Sequence, residues 1–136
     1  MPANRPNFYE RTISPKATVH FRRTRLPSRW VGLLTPIGGL DSPPIRLDLD
    51  EVVVGREKGL TASVADASVS RRHACITRRG DEFELEDLGS FNGTHINGVP
   101  VRSCVLIDGD TVQFGQTLYL FERILEAGGA ARGGQP

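Results

Sequence analysis

Apolar residues through the middle of the chain recur with a period of two in short runs, and no segment there shows a convincing helical period. In Thr111-Val112-Gln113-Phe114-Gly115, Val112 and Phe114 fall on one face while Thr111 and Gln113 fall on the other. That is the alternation of a half-buried antiparallel strand. Phe83 and Leu85 repeat it within Glu82-Asp87. The pattern predicts strands at Trp30-Leu34, Ile45-Leu49, Glu51-Gly55, His73-Arg78, Glu82-Asp87, a short pair around Thr94-Ile96 and Val101-Arg102, then Thr111-Gly115 and Leu118-Ile124. Gly, Pro, Asp and Asn punctuate them. Between His73-Arg78 and Glu82-Asp87 stands Arg79-Gly80-Asp81, a tight connection with a glycine available for positive φ, which predicts a hairpin. Many short strands at close spacing make an all-β class, a sandwich or a barrel.

The two ends read differently. Residues 1–29 are polar and bear Pro and Arg, the expectation being a largely flexible arm. Within it Ala17-Thr18-Val19-His20-Phe21 alternates weakly, as an extra edge strand would, between Pro15 and Pro27. Residues 126–136 are rich in Gly and Ala and offer little to bury, so they read as a flexible tail. A single domain over residues 30–125 remains. Apolar residues at 38% and charged residues at 24% are ordinary globular usage, which excludes a wholly disordered or fibrous chain.

Charge narrows the function classes. Seventeen Lys and Arg against sixteen Asp and Glu leave a net charge of +1, which gives no bulk field for nucleic acid or for an acidic membrane. Arg22, Arg23, Arg25 and Arg29 make a short basic run in the arm, more typical of a solvated linker than of a DNA reader. Cys75 and Cys104 are too few for a disulfide framework and have no zinc-like spacing with His20, His73 or His95. Neither a signal-type apolar segment nor a span of about 20 apolar residues is found, so the expected location is cytoplasmic.

Any anion site must then be local, and three polar loop segments flanking predicted strands supply one. They are Gly55-Arg56, Ser70-Arg71-Arg72-His73, and Ser90-Phe91-Asn92-Gly93-Thr94 with Asn97-Gly98 close behind. If the strand at Glu51-Gly55 is followed by an antiparallel return, Arg56, Ser70, Arg71 and Asn92 meet at one end of the fold. Arg donates to phosphate oxygens in a planar fork, and a Ser hydroxyl adds a short donor. Asn92 both donates and accepts, which suits the backbone of an extended peptide. Phosphothreonine carries about −1.5 to −2 charges at neutral pH, so two Arg side chains roughly neutralise it.

Gly-Arg, then Ser-x-x-His, then Asn-Gly-Thr with a second Asn-Gly after it, in that order, resembles the forkhead-associated (FHA) domain family. Asp87-Leu88-Gly89-Ser90, and Leu106-x-Asp108-Gly109-Asp110 leading into Val112-x-Phe114-Gly115, add to the likeness, which covers about Val31 to Phe121. The resemblance implies an FHA/SMAD-like sandwich of two antiparallel sheets whose apical loops read phosphothreonine, usually with a preference for the residue three places after it. The implied partner is a threonine-phosphorylated protein or peptide, a Ser/Thr kinase or its substrate, and no cofactor is implied. Position by position, Arg56 and Ser70 match the phosphate-binding pair, Arg71 a loop position that often assists, and Asn92 the residue that holds the peptide backbone. His73 matches a scaffold residue, and Gly55, Gly93, Thr94 and Asn97 look structural. Phe91 departs from the pattern, because many members carry a small polar residue there that lies near the peptide. It exchanges a polar peptide contact for an apolar one.

Taken singly, each motif has a plainer explanation. A lone exposed Arg is usually a solvated charge, Ser70 is an ordinary turn residue, and Asn-Gly is a turn dipeptide. Their ordered co-occurrence favours the binding site. Ser70 and His73 do not make a hydrolase on this reading: on an extended segment residues three apart face opposite sides, and no third residue orients the ring. The competing function is a phosphate-independent interaction module that uses a sheet face or the arm. Within the arm, Thr12, Thr18 and Thr24 are candidate phosphoacceptors, Thr24 following Arg22-Arg23.

Overall fold

The computed structural model describes residues 29–126. The expectations for the arm, for its strand at 17–21, for Thr12, Thr18 and Thr24, and for the tail beyond Glu126 therefore lie outside the described residues. Trp30 to Leu125 form one compact unit.

The described residues form eleven strands and no helix. In order they are β1 (Arg29–Ile37), β2 (Ile45–Leu47), β3 (Glu51–Gly55), β4 (Ala62–Ser63), β5 (Ala74–Arg79), β6 (Glu82–Asp87), β7 (Thr94–Ile96), β8 (Val99–Val101), β9 (Ser103–Val105), β10 (Thr111–Phe114) and β11 (Thr117–Glu126). One sheet runs β2-β1-β11-β10-β7-β8 and the other β4-β3-β5-β6-β9. The all-β sandwich expected from the alternation is the fold. Glu51–Gly55 and Glu82–Asp87 have their expected bounds, whereas β1 and β11 run further and β5 starts one residue later, at Ala74.

Two details lay outside the expectation. β4 and β9 escaped the periodicity because two or three residues are too few to show an alternation. The sheets are also not wholly antiparallel: β4 lies parallel to β3, with Val54 opposite Ala62 and Gly55 opposite Ser63. The chain leaves β3, loops out, and comes back alongside it in the same direction.

Alternation buries one face of each sheet. Val52, Val54, Ile76, Phe83 and Leu85 from one meet Leu34, Leu47, Val112, Phe114, Tyr119 and Phe121 from the other, each at most 1% exposed. Burying a side chain of this size contributes about 1.5–3 kcal/mol. One edge-to-face pair crosses the core, Phe83 with Phe121 at 5.7 Å, while Phe114 and Tyr119 meet edge-on at 5.8 Å within one sheet.

Strand register then places the loops. β3 pairs antiparallel with β5, and β5 with β6, so Val54, Ala74 and Asp87 form one row across the sheet. The residues just beyond that row, Arg56 after β3, Ser70 to His73 before β5, and Leu88 to Gly93 after β6, leave the sheet at the same end. The β5–β6 hairpin turns through Gly80 and Asp81, with Gly80 at φ 67°, the conformation that a two-residue hairpin loop asks of a leading glycine.

Candidate functional site

Ser70 is the hub of that end. Its N–H donates to His73 Nδ1 (3.0 Å), its carbonyl accepts the Arg56 N–H (2.9 Å), and its Oγ accepts the Phe91 N–H (3.0 Å). One loop thus reaches both neighbours, and the only donor left on Ser70 is the hydroxyl proton. The segment from Ser70 to His73 is bent rather than extended, which corrects the expectation that the two side chains face opposite ways. The bend exists because the ring folds back to take the Ser70 amide. The hydroxyl and the ring still share no hydrogen bond: the ring takes the Ser70 amide and the hydroxyl takes the Phe91 amide.

His73 is fully buried and braces two of the loops, its own and β6–β7, against β3. Since Nδ1 accepts from a backbone amide, Nε2 carries the proton and donates to the Gly93 carbonyl (2.9 Å). The His73 carbonyl takes the Leu88 N–H (2.9 Å), and its ring meets Phe114 edge-on at 5.7 Å. Gly93 also accepts the Gly115 N–H (3.1 Å), which ties the β6–β7 loop to the opposite sheet.

Arg56 is held at Nε by the Val69 carbonyl (2.9 Å), and its two terminal nitrogens have no hydrogen bond among the described residues. Gly55 is required by proximity. A Cβ there would stand 2.0 Å from the Arg71 carbonyl oxygen, which itself accepts the Glu57 N–H (3.1 Å). Arg56 and Arg71 line one open groove of about 880 Å³ together with Lys58, Ser63, Ala65 and Ala67, and with the carboxylates of Glu57 and Asp66.

Asn92 is half engaged. Its Nδ2 donates to the Ser68 carbonyl (2.8 Å), which leaves a second N–H and the Oδ1 acceptor unbonded among the described residues. Ser68 was not legible as a site residue. Besides receiving Asn92 it donates from Oγ to Asp66 (2.7 Å) and accepts the Gln116 N–H (2.8 Å) there. The Asp66-x-Ser68 spacing of a side-chain-capped turn was the available signal. Hydrogen bonds from the Ser68 hydroxyl and amide hold the Asp66 carboxyl below the usual range, against a smaller desolvation effect.

Asp87 staples the β6–β7 loop. It accepts from the Gly89 N–H, the Ser90 N–H and hydroxyl, and the buried Thr94 hydroxyl, at 2.6–3.0 Å. Burial pushes its pKa up, but these bonds outweigh burial and keep it below the ordinary value. Phe91 sits on this stapled turn with its side chain 91% exposed. Asn97 is elsewhere. At φ 52° it joins Asp110 (2.9 Å) and the Thr111 amide (2.9 Å) at the far end of β7, away from the anion loops.

The model of the FHA domain family matches residues 52–115, the stretch that contains every loop just described. This chain belongs to the FHA domain family. The glycogen accumulation regulator GarA of Mycolicibacterium smegmatis is 38% identical over 96 residues, 71% of this chain and 61% of that protein. The oxoglutarate dehydrogenase inhibitor of Corynebacterium jeikeium is 41% identical over 75 residues, 55% of this chain and 52% of that one. The FHA chain thus spans only about half to three fifths of these relatives. Among solved structures, an FHA domain studied for phosphothreonine-dependent interactions is similar with a TM-score of 0.63 and 30% identity, over 68% of this chain and 95% of that one. EmbR of Mycobacterium tuberculosis, in complex with a low-affinity phosphopeptide, is similar with a TM-score of 0.63 and 27% identity, over 82% of this chain and 29% of that one. The FHA fold of two packed sheets with loops gathered at one end is therefore shared.

Proposed function

We propose that this FHA domain binds threonine-phosphorylated partner proteins and catalyses no reaction. The arrangement of Ser70 carries the reading. With its amide, carbonyl and hydroxyl oxygen committed to His73, Arg56 and Phe91, it has one proton to give, on a loop whose backbone is bonded to that of Arg56. Preorganised donors of this kind bind an anion without first breaking bonds of their own. Arg71 adds charge in the same groove, and Asn92 offers an amide to the peptide backbone.

The absence of a hydroxyl-to-ring contact supports a binding role over hydrolysis. Relatives called regulator and inhibitor, and a fold relative seen with a phosphopeptide, point the same way. The partner is then a protein phosphorylated in Ser/Thr kinase signalling, a kinase or its substrate, in the cytoplasm. Among the described residues no helix is long and apolar enough to cross a membrane.

The test is titration of a phosphothreonine peptide pool, with matched phosphoserine and unphosphorylated pools, into wild type and Arg56→Ala. Phosphothreonine-selective binding lost in Arg56→Ala supports the reading, and a folded wild type that ignores the phosphate refutes it.

A further inference from the structure

The largest exposed apolar side chain beside the anion loops is Phe91, and its 91% exposure sets it apart from the other exposed large hydrophobic residues, which lie between 39% and 65%. Core aromatics such as Phe83, Phe114 and Phe121 are at most 1% exposed. Scattered exposed apolar residues are common and by themselves mean little. Three features distinguish this one. Its backbone N–H is bonded to Ser70 Oγ at 3.0 Å, the same hydroxyl proposed to meet phosphate. The turn beneath it is fixed on one side by four bonds to Asp87 and on the other by Asn92 Nδ2 on the Ser68 carbonyl. The backbone that carries the ring is therefore fixed on both sides, and the ring itself stands in water, where its apolar surface contributes little to folding.

We infer that Phe91 is a specificity-determining residue that packs against an apolar side chain of the partner, close in sequence to its phosphothreonine. The inference rests on the phosphothreonine reading above. An extended peptide advances about 3.3 Å per residue, and an aromatic ring reaches roughly 5 Å from its own backbone, so a ring fixed one hydrogen bond from the phosphate donor meets residues one to three positions from the phosphothreonine. A carboxylate there would lose water against the electron-rich face of the ring and gain no partner. An aliphatic or aromatic one would exclude water from both surfaces.

The test uses the full chain and phosphothreonine peptides that carry Leu, Phe, Ser or Asp at each of the three positions on either side. Affinities are measured by fluorescence anisotropy for wild type, Phe91→Ser, Phe91→Leu and Arg56→Ala. Wild type is expected to favour Leu or Phe over Ser or Asp at one position by on the order of tenfold, which corresponds to partial burial of one ring. Phe91→Ser should flatten that preference to within about twofold while keeping its requirement for phosphate, and Phe91→Leu should retain most of it. A wild type with no apolar preference, or a Phe91→Ser variant with the preference intact, overturns the inference while leaving phosphate recognition standing. Binding that ignores phosphate and survives Arg56→Ala removes the phosphothreonine reading itself, and this inference with it. Thermal unfolding of Phe91→Ser should match wild type, since the ring is solvated in the free protein.

Discussion

Ser70 gives its backbone N–H, not its hydroxyl, to His73 Nδ1, over 3.0 Å. The histidine therefore acts as a brace that sets the loop carrying Ser70, and it hands the second loop the same treatment through Gly93. Replacing His73 with Ala would orphan the Ser70 amide, leave the Gly93 carbonyl with the Gly115 N–H alone and open a cavity against Phe114. A loss of about 2–4 kcal/mol is expected in urea unfolding. Phosphopeptide affinity should fall as well, although the ring touches no ligand.

Ser70→Ala separates stability from binding. The Phe91 amide it leaves behind is near solvent, so unfolding should change by about 1 kcal/mol or less. Affinity for a phosphothreonine peptide, measured by calorimetry, should fall by roughly tenfold or more, the usual cost of a lost hydrogen bond to a charged group.

Gly55→Ala tests close approach without any change in backbone conformation. The new Cβ would lie 2.0 Å from the Arg71 carbonyl oxygen, which is backbone and has no flexible end to give way. The Ser70 loop must move, and a destabilisation of about 2 kcal/mol or more is expected by thermal unfolding. Phosphopeptide binding should weaken more than it does in Arg71→Ala.

Acid should loosen the β6–β7 loop. The Asp87 pKa is lower in the folded chain than the unfolded value of about 3.9. Stability from this group is therefore fully present above that value and is lost as pH falls through it towards the folded pKa. Asp66, lowered by Ser68, acts in the same sense. Melting temperatures followed from pH 7 to pH 2.5 should drop for wild type, and the gap between wild type and Asp87→Asn should narrow over that range.

Ligand titration gives a separate pH effect at higher pH. A phosphothreonine loses its second charge below about pH 6, so affinity should fall from pH 7.5 to pH 5.5 while the protein stays folded. Added salt should weaken it too, because exposed charges are screened within about 8–10 Å at ordinary ionic strength.

Much of this was legible in the residues. Val112 and Phe114, and Phe83 and Leu85, alternate strongly enough to fix their strands, and the antiparallel return assumed after Glu51–Gly55 is the β3–β5 pairing. What escaped was whatever depends on few residues or on side chains meeting at a distance. β4 has no period to read, and its parallel course follows from a loop whose path no local preference dictates. Ser68 looks like any turn serine until Asn92, 24 positions later, closes on its carbonyl. The bend from Ser70 to His73 depends on a ring turning back to an amide, and nothing in the four residue types alone distinguishes it from a strand entry.

The outermost strands of the two sheets, β2 and β8 in one and β4 and β9 in the other, are each two or three residues long. A visiting chain that tried to add itself as a further strand would find too short a row of free amides and carbonyls to zip along. Among the described residues the edges of the sandwich thus offer its own copies little to stack on. That arrangement lets a bare phenylalanine ring stand in water at the tip of a protein whose flanks give sticky neighbours no rail to grip.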